Sequence, residues 1–179
     1  MATGTADFEL TMDELRVVAR FAVESAQAVL PLFEMADGED LRPRAANEGA
    51  WESVNGAPPT NLQRVTSLDA HRAAKGVDGE SARHAARSAG DAASAAYLHP
   101  IARATQVGHI LRAAANAARA TELGAGDDPD IGDALIEQAR RGATPALIAV
   151  LNRYPLAPIG NGRVAHLMKS LDTSLRTPC

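Results

Sequence analysis

The chain has 179 residues, a formal net charge of −4, 46% hydrophobic residues and 3% aromatic residues. Such a length fits one domain with a proper core, and a core poor in rings (Phe8, Phe21, Phe33, Trp51, Tyr97 and Tyr154) points to helices rather than a β-sandwich. Arginines interleaved with acids and alanines lack the concentrated basic face that phosphate binding needs, and no apolar run approaches the roughly 20 residues that cross a bilayer, so neither nucleic acid nor membrane is an expected partner.

The single cysteine, Cys179, excludes a disulfide within the chain and any CxxC motif, and a reducing cytoplasm is the expected compartment. The segment Met1 to Asp7 lacks the basic and apolar regions of a signal peptide.

Thr11-Met12-Asp13-Glu14 reads as a capping box. The helix it opens puts Leu15, Val18, Ala22, Ala26, Val29 and Phe33 on one face, with Pro31 in its last turn. A second helix spans Arg42 or Pro43 to about Val54, although Asn47 and Gly49 are poor helix formers. The break Asn55-Gly-Ala-Pro-Pro59 follows. Thr60 then caps a third helix to about Lys75, with Leu62, Val65 and Leu68 as its expected apolar anchors.

Alanine dominates Ala82 to Ala120; it is the best helix former and adds no bulk, so helices built from it can pack closely. A fourth helix is predicted from about Glu80 to Leu98 and a fifth from Pro100 to about Leu123, joined at the His99-Pro100 step. Each carries a polar stripe: Glu80, His84, Arg87, Asp91 and Ser94 on the fourth, and Thr105, His109, Arg112, Asn116 and Arg119 on the fifth. After a turn at Gly124 to Asp130, Asp130 is the expected cap of a helix over Ile131–Arg141. Gly142-Ala-Thr-Pro145 signals a stop and a new start, with a kinked continuous helix as the alternative. A short helix over Arg163–Leu171 follows a loop. The predicted fold is all-α: one orthogonal array or bundle of about seven helices over residues 8–175, with flexible termini at 1–7 and 176–179.

Candidate chemistry rests on the exceptions to this alanine background. His71, His84, His99, His109 and His166 show no HExxH or ExxH pairing, so neither metal nor cofactor is expected. If the chain is an enzyme, His84, Asp91 and His109 are the candidate catalytic groups, because acid–base work needs a histidine or carboxylate held in a cleft. The favoured reading is that the two stripes face water, with Arg87 and Asp91 forming a surface i,i+4 ion pair. Tyr97, His99 and Gln106 are expected at the junction of the fourth and fifth helices, where backbone groups need partners. Cys179 lies beyond the last helix, and a nucleophilic role for it is remote.

Ala28-Val-Leu-Pro-Leu-Phe-Glu34 followed by Leu41-Arg-Pro-Arg-Ala45 resembles the opening of the Imm5-like immunity proteins of bacterial polymorphic toxin systems. Asp69-Ala-His-Arg-Ala-Ala74, Ala86-Arg-Ser-Ala-Gly90 and Ala96-Tyr-Leu-His99 extend the similarity, which spans about Phe8 to Leu175. The resemblance implies a small all-α protein without known catalytic residues that binds and neutralises a cognate toxin. An acidic surface patch facing a basic toxin would suit the negative net charge.

Two departures keep a second reading in view. Asn47, Gly49, Trp51 and Ser53 stand where the family's second helix is commonly apolar and alanine-rich, and Asp91 stands where a histidine is frequent. Such replacements could open a pocket for a small molecule near Trp51, His84, Asp91 and His109, and Trp51, Tyr97, Gln106 and Asn116 are then the candidate ligand-binding residues. Homo-oligomerisation stays open.

Overall fold

The computed structural model describes residues 7–178; Cys179 lies outside them. Among the described residues the chain is all-α, with eight α-helices and two single-turn 3-10 helices. The α-helices are α1 (Met12–Ala36), α2 (Arg42–Val54), α3 (Asn61–Gly76), α4 (Glu80–Ser94), α5 (Val107–Gly124), α6 (Pro129–Gly142), α7 (Pro145–Leu151) and α8 (Arg163–Arg176). The helix starts follow local chemistry. Thr11 and Glu14 close the expected capping box, and Thr60 with Gln63 forms a second one. Thr144 accepts from Leu147 N and makes α7 a separate helix rather than a kinked continuation of α6.

Four boundaries differ from the sequence-based expectation. Helix α4 ends at Ser94, short of Leu98, and a 3-10 turn over Ala95–Tyr97 follows it. The α6 cap is Asp128, whose carboxylate accepts from Asp130 N at 3.1 Å, and Asp130 is already inside the helix. Helix α8 continues to Arg176, beyond Leu171. Pro100 does not begin α5: a stretch without regular helix runs to Arg103, a 3-10 turn follows over Ala104–Gln106, and α5 starts at Val107.

Helices α4 and α5 form the central pair: α1 packs against both, α2 and α3 against α4, and α6 and α8 against α5. The main core joins Val18, Phe21 and Val23 of α1 to Ile110 and Leu111 of α5 and to Leu147, Leu151, Leu167 and Leu171. Fully burying such a side chain contributes about 1.5–3 kcal/mol. Where α2, α3 and α4 meet, the buried cluster is all alanine: Ala46, Ala70, Ala89 and Ala93.

This small-residue seam turns α3 inside out. Leu62, Val65 and Leu68, the expected anchors, are 43%, 45% and 49% exposed, and the buried side is Gln63, Thr66, Ser67, Ala70, Ala73 and Ala74. The physical reason is close approach. A Cβ on Gly49 would stand 3.4 Å from Thr66 Oγ1, and one on Gly90 would stand 3.0 Å from the Ser67 carbonyl. Large side chains cannot enter that space, whereas small polar ones can hydrogen-bond across it. Gln63 Nε2 donates to the Gly49 carbonyl (3.2 Å) and Ser67 Oγ to the Gly90 carbonyl (2.8 Å).

The flanks are tied down by specific bonds. Asp7 N donates to the Pro100 carbonyl, and Asp7 Oδ2 accepts from Ala102 N. Arg153 grips Glu14 and holds that carboxyl down at about 2. Arg176 donates to Asp172 Oδ1 at 2.7 Å and to the Tyr154 carbonyl at 2.8 Å.

Candidate functional site

The stripes of α4 and α5 meet in the interior instead of facing water along their length. Asp91 is 5% and Asn116 3% exposed. Alanines on both helices draw the backbones together, so the longer polar side chains reach across the seam. Asn116 Nδ2 donates to Asp91 Oδ2 at 2.8 Å, and its Oδ1 lies 2.8 Å from His84 Nδ1. With Nδ2 donating to the carboxylate, Oδ1 of the Asn116 amide is left as an acceptor, which makes His84 Nδ1 the donor to it. His84 Nε2 therefore carries the lone pair.

A second histidine is oriented in the same way. Ser94 Oγ donates to the Asp91 carbonyl at 2.8 Å and lies 3.2 Å from His109 Nδ1. The hydroxyl has one hydrogen, already committed, so His109 Nδ1 donates and its Nε2 is the free acceptor. Burial lowers the pKa of both histidines below the ordinary value. For His84 the bond to Asn116 works partly against this, and for His109 the Arg112 guanidinium adds to it while Asp91 opposes it. Burial therefore favours the neutral form of both rings.

Asp91 also draws on neighbours outside its own helix. His71 Nε2 of α3 and Arg112 Nε of α5 each lie 3.5 Å from Asp91 Oδ1. Arg87 is not its partner, which corrects the expected i,i+4 surface pair: Asp91 is turned inward, toward α3 and α5. Glycine makes these approaches possible. A Cβ on Gly90 would stand 2.7 Å from His71 Nε2, and one on Gly108 would collide with the Arg112 guanidinium folded back over it. Sequence reasoning missed His71 as a member of the cluster, and the signal that could have found it is Gly90, a glycine inside an alanine-rich helix.

Of the candidate residues, His84, Asp91, His109 and Asn116 thus share one cluster, and Trp51, Tyr97 and Gln106 lie elsewhere. Trp51 packs against the main core with the Arg20 guanidinium 5.8 Å above its ring. Tyr97 donates to the Thr60 carbonyl, and Gln106 Oε1 accepts from His99 N at 2.9 Å. The junction of α4 and α5 is therefore a satisfied turn, closed further by Tyr154, whose hydroxyl donates to the His99 carbonyl (2.9 Å) and is pushed up to about 12 by burial.

Among the odd residues of α2, Asn47, Gly49 and Ser53 are buried and Trp51 is partly buried. The side-chain polar atoms of Asn47 and Ser53 have no hydrogen-bond partner among the described residues. Two cavities lie on another side. One of about 470 Å³ runs between α1, α5 and α6 over a floor of Ala114, Ala117 and Ala118, walled by Phe21, Val29, Leu135 and Ala139. A smaller one of about 160 Å³ adjoins it through Phe21, Glu24 and Gly142. Neither is lined by His84, Asp91, His109 or Asn116.

Among the described residues no three His, Cys, Asp or Glu side chains are grouped to hold a metal ion, and no helix is long and apolar enough to cross a membrane. What the cluster can do chemically is join three helices, offer two imidazole Nε2 acceptors and present the Arg112 guanidinium at its rim.

A family model described as Imm-5 like putative immunity protein matches residues 9–142, well over half of the chain. No curated protein and no solved structure matches it.

Proposed function

We propose, from the premise that the chain belongs to the Imm-5 like family of immunity proteins, that it is a non-catalytic binding protein that neutralises a cognate toxin in the bacterial cytoplasm. The observation that supports a binding role over a reaction is the Asn116 carboxamide standing between His84 and Asp91. An amide orients its two neighbours but does not relay a proton under ordinary conditions, so the pair is not a His–carboxylate dyad. His109 reaches the Asp91 main chain through Ser94, not the carboxylate. These groups serve the joint between α3, α4 and α5.

The test is co-production of the chain with its candidate toxin domain. A stable complex and rescue of growth are expected, and both survive His84→Gln and His109→Gln provided that the circular dichroism spectrum is unchanged. Turnover of a substrate that disappears in those folded variants would overturn the proposal and install His84, Asp91 and His109 as catalytic groups.

One observation favours a second reading. The groove of about 470 Å³ is mainly apolar and of ligand size, which suits a small apolar molecule. Native mass spectrometry of the freshly purified chain decides this: a retained adduct displaced by Ala118→Phe supports it, and the bare mass alone sinks it.

A further inference from the structure

We propose that the outer face of α3, with the cationic seam it shares with α4, is the surface that docks the toxin, and that the toxin meets it with an apolar groove edged by carboxylates. This rests on the neutralising role above and names the place and the chemistry of that contact.

Helix α3 has inverted amphipathicity. Its polar residues Gln63, Thr66 and Ser67 are inside, and Leu62, Val65 and Leu68 form an exposed ridge. The interior accounts for the small buried residues but not for the large apolar ones outside, where any polar residue would serve a solvated helix equally well. Scattered exposed leucines need no explanation; a row of three on successive turns is a patch.

The charges beside the ridge give the partner its sign. Arg64, Leu68, His71 and Lys75 recur at four- and three-residue steps and so share one stripe. His71 rests against Gly90 of α4, which places that stripe along the α3–α4 seam. Arg87 lies one turn before Asp91 on the same seam. Arg64, Lys75 and Arg87 have no ion-pair partner among the described residues, and Arg112 stands only loosely at 3.5 Å from Asp91. The acid of the α3 surface, Asp69, is already matched by Arg72 at 2.8 Å. Along the α3–α4 seam itself the sign is therefore the reverse of the net charge, and the exposed Glu48 and Glu52 belong to α2; the toxin face that fits the seam is acidic rather than basic. The Leu and Val ridge favours a protein over nucleic acid, whose phosphates would leave it uncovered.

The experiment measures toxin-domain affinity for the wild-type chain, Val65→Glu/Leu68→Glu, Arg64→Glu/Lys75→Glu, and a control, Ile159→Asp, on an exposed loop. The ridge variant is expected to weaken binding by about 100-fold. The cation variant is expected to weaken it about 10-fold and flatten its salt dependence. The control is expected to bind like the wild type, and all four chains to keep their circular dichroism spectra. Unchanged affinity in the folded ridge and cation variants overturns the proposal.

A second measurement needs no toxin: a ¹H–¹⁵N titration with poly-L-glutamate. Shifts at Arg64, His71, Lys75 and Arg87 support the acidic partner. Shifts centred elsewhere, or a stronger response to polyuridylate at the same residues, overturn it. A wild-type chain that leaves the toxin unbound sinks the neutralising role, and the polyglutamate map then decides the surface by itself.

Discussion

Asp91 and Glu122 are both buried carboxylates at helix joints, and they are held in different ways. Glu122, 1% exposed, is gripped by Arg119 and by Arg163, whose Nη2 lies 2.8 Å from Oε2; Arg163 also reaches Asp133 at 2.8 Å and the Pro129 carbonyl at 3.0 Å. Guanidinium forks thus close α5, α6 and α8 around a fully paired charge. Asp91 receives its short bond from the neutral amide of Asn116, with His71 and Arg112 at 3.5 Å. The first joint is a fixed staple. The second is looser and has cationic Arg112 at its edge. Both depend on glycine, because a Cβ on Gly132 would fall on Glu122 Oε2 just as one on Gly90 would crowd His71.

Gly132→Ala should break the staple most severely. The methyl displaces a buried paired carboxylate, and disrupting such a pair costs about 3–5 kcal/mol, a fall in melting temperature of roughly 10 °C for a chain of this size. Differential scanning calorimetry checks it. Asp91→Ala should cost less, about 2–3 kcal/mol, because the Asn116 donor is left without its acceptor while His71 and Arg112 retain access to water. Chemical denaturation checks it, with Asp91→Asn expected to retain much of that stability. If Asp91→Ala proves as costly as Gly132→Ala, the contrast between the joints disappears.

Asn47→Ala should act in the opposite direction. The buried amide has no hydrogen-bond partner among the described residues, so replacing it with alanine should stabilise the fold by about 1 kcal/mol, read as a higher urea midpoint at constant slope. An unchanged or lower midpoint would argue that the amide is satisfied.

The histidines sharpen the comparison through pH. Because burial lowers the folded-state pKa of His84 and His109, the unfolded chain takes up protons first as the solution is acidified. Their contribution is complete above the unfolded value of about 6.5 and is lost as pH falls from there toward the folded values. Melting temperatures recorded from pH 7.5 to 5 should therefore decline, and His109→Gln should flatten the decline. The smallest effect belongs to Leu68→Ser on the α3 ridge, expected within about 0.5 kcal/mol of wild type. A larger loss in the melting curve would show the ridge to be internal packing.

Much of the fold was legible because it depends on local chemistry. Thr11 with Glu14, Thr60, and Thr144 with Pro145 set helix starts through hydrogen bonds within one turn, and the alanine faces of α4 and α5 are buried as their periodicity implied. The site was half legible. His84, Asp91, His109 and Asn116 are four conspicuous side chains on two neighbouring helices, yet periodicity could not tell whether their stripes met each other or the solvent. His71 was hidden because its membership depends on α3 lying against Gly90.

The α3 face shows the same boundary from the other side. Periodicity correctly grouped Leu62, Val65 and Leu68 on one stripe, but a stripe becomes core only if there is room for it. Local sequence determined where α1, α3 and α7 begin and which residues share a face, because capping bonds and the 3.6-residue turn act within a few residues of chain. The tertiary structure alone decided which face turned inward: Gly49 and Gly90 brought α2 and α4 too close to α3 for leucine to fit between them, and that separation belongs to three helices together.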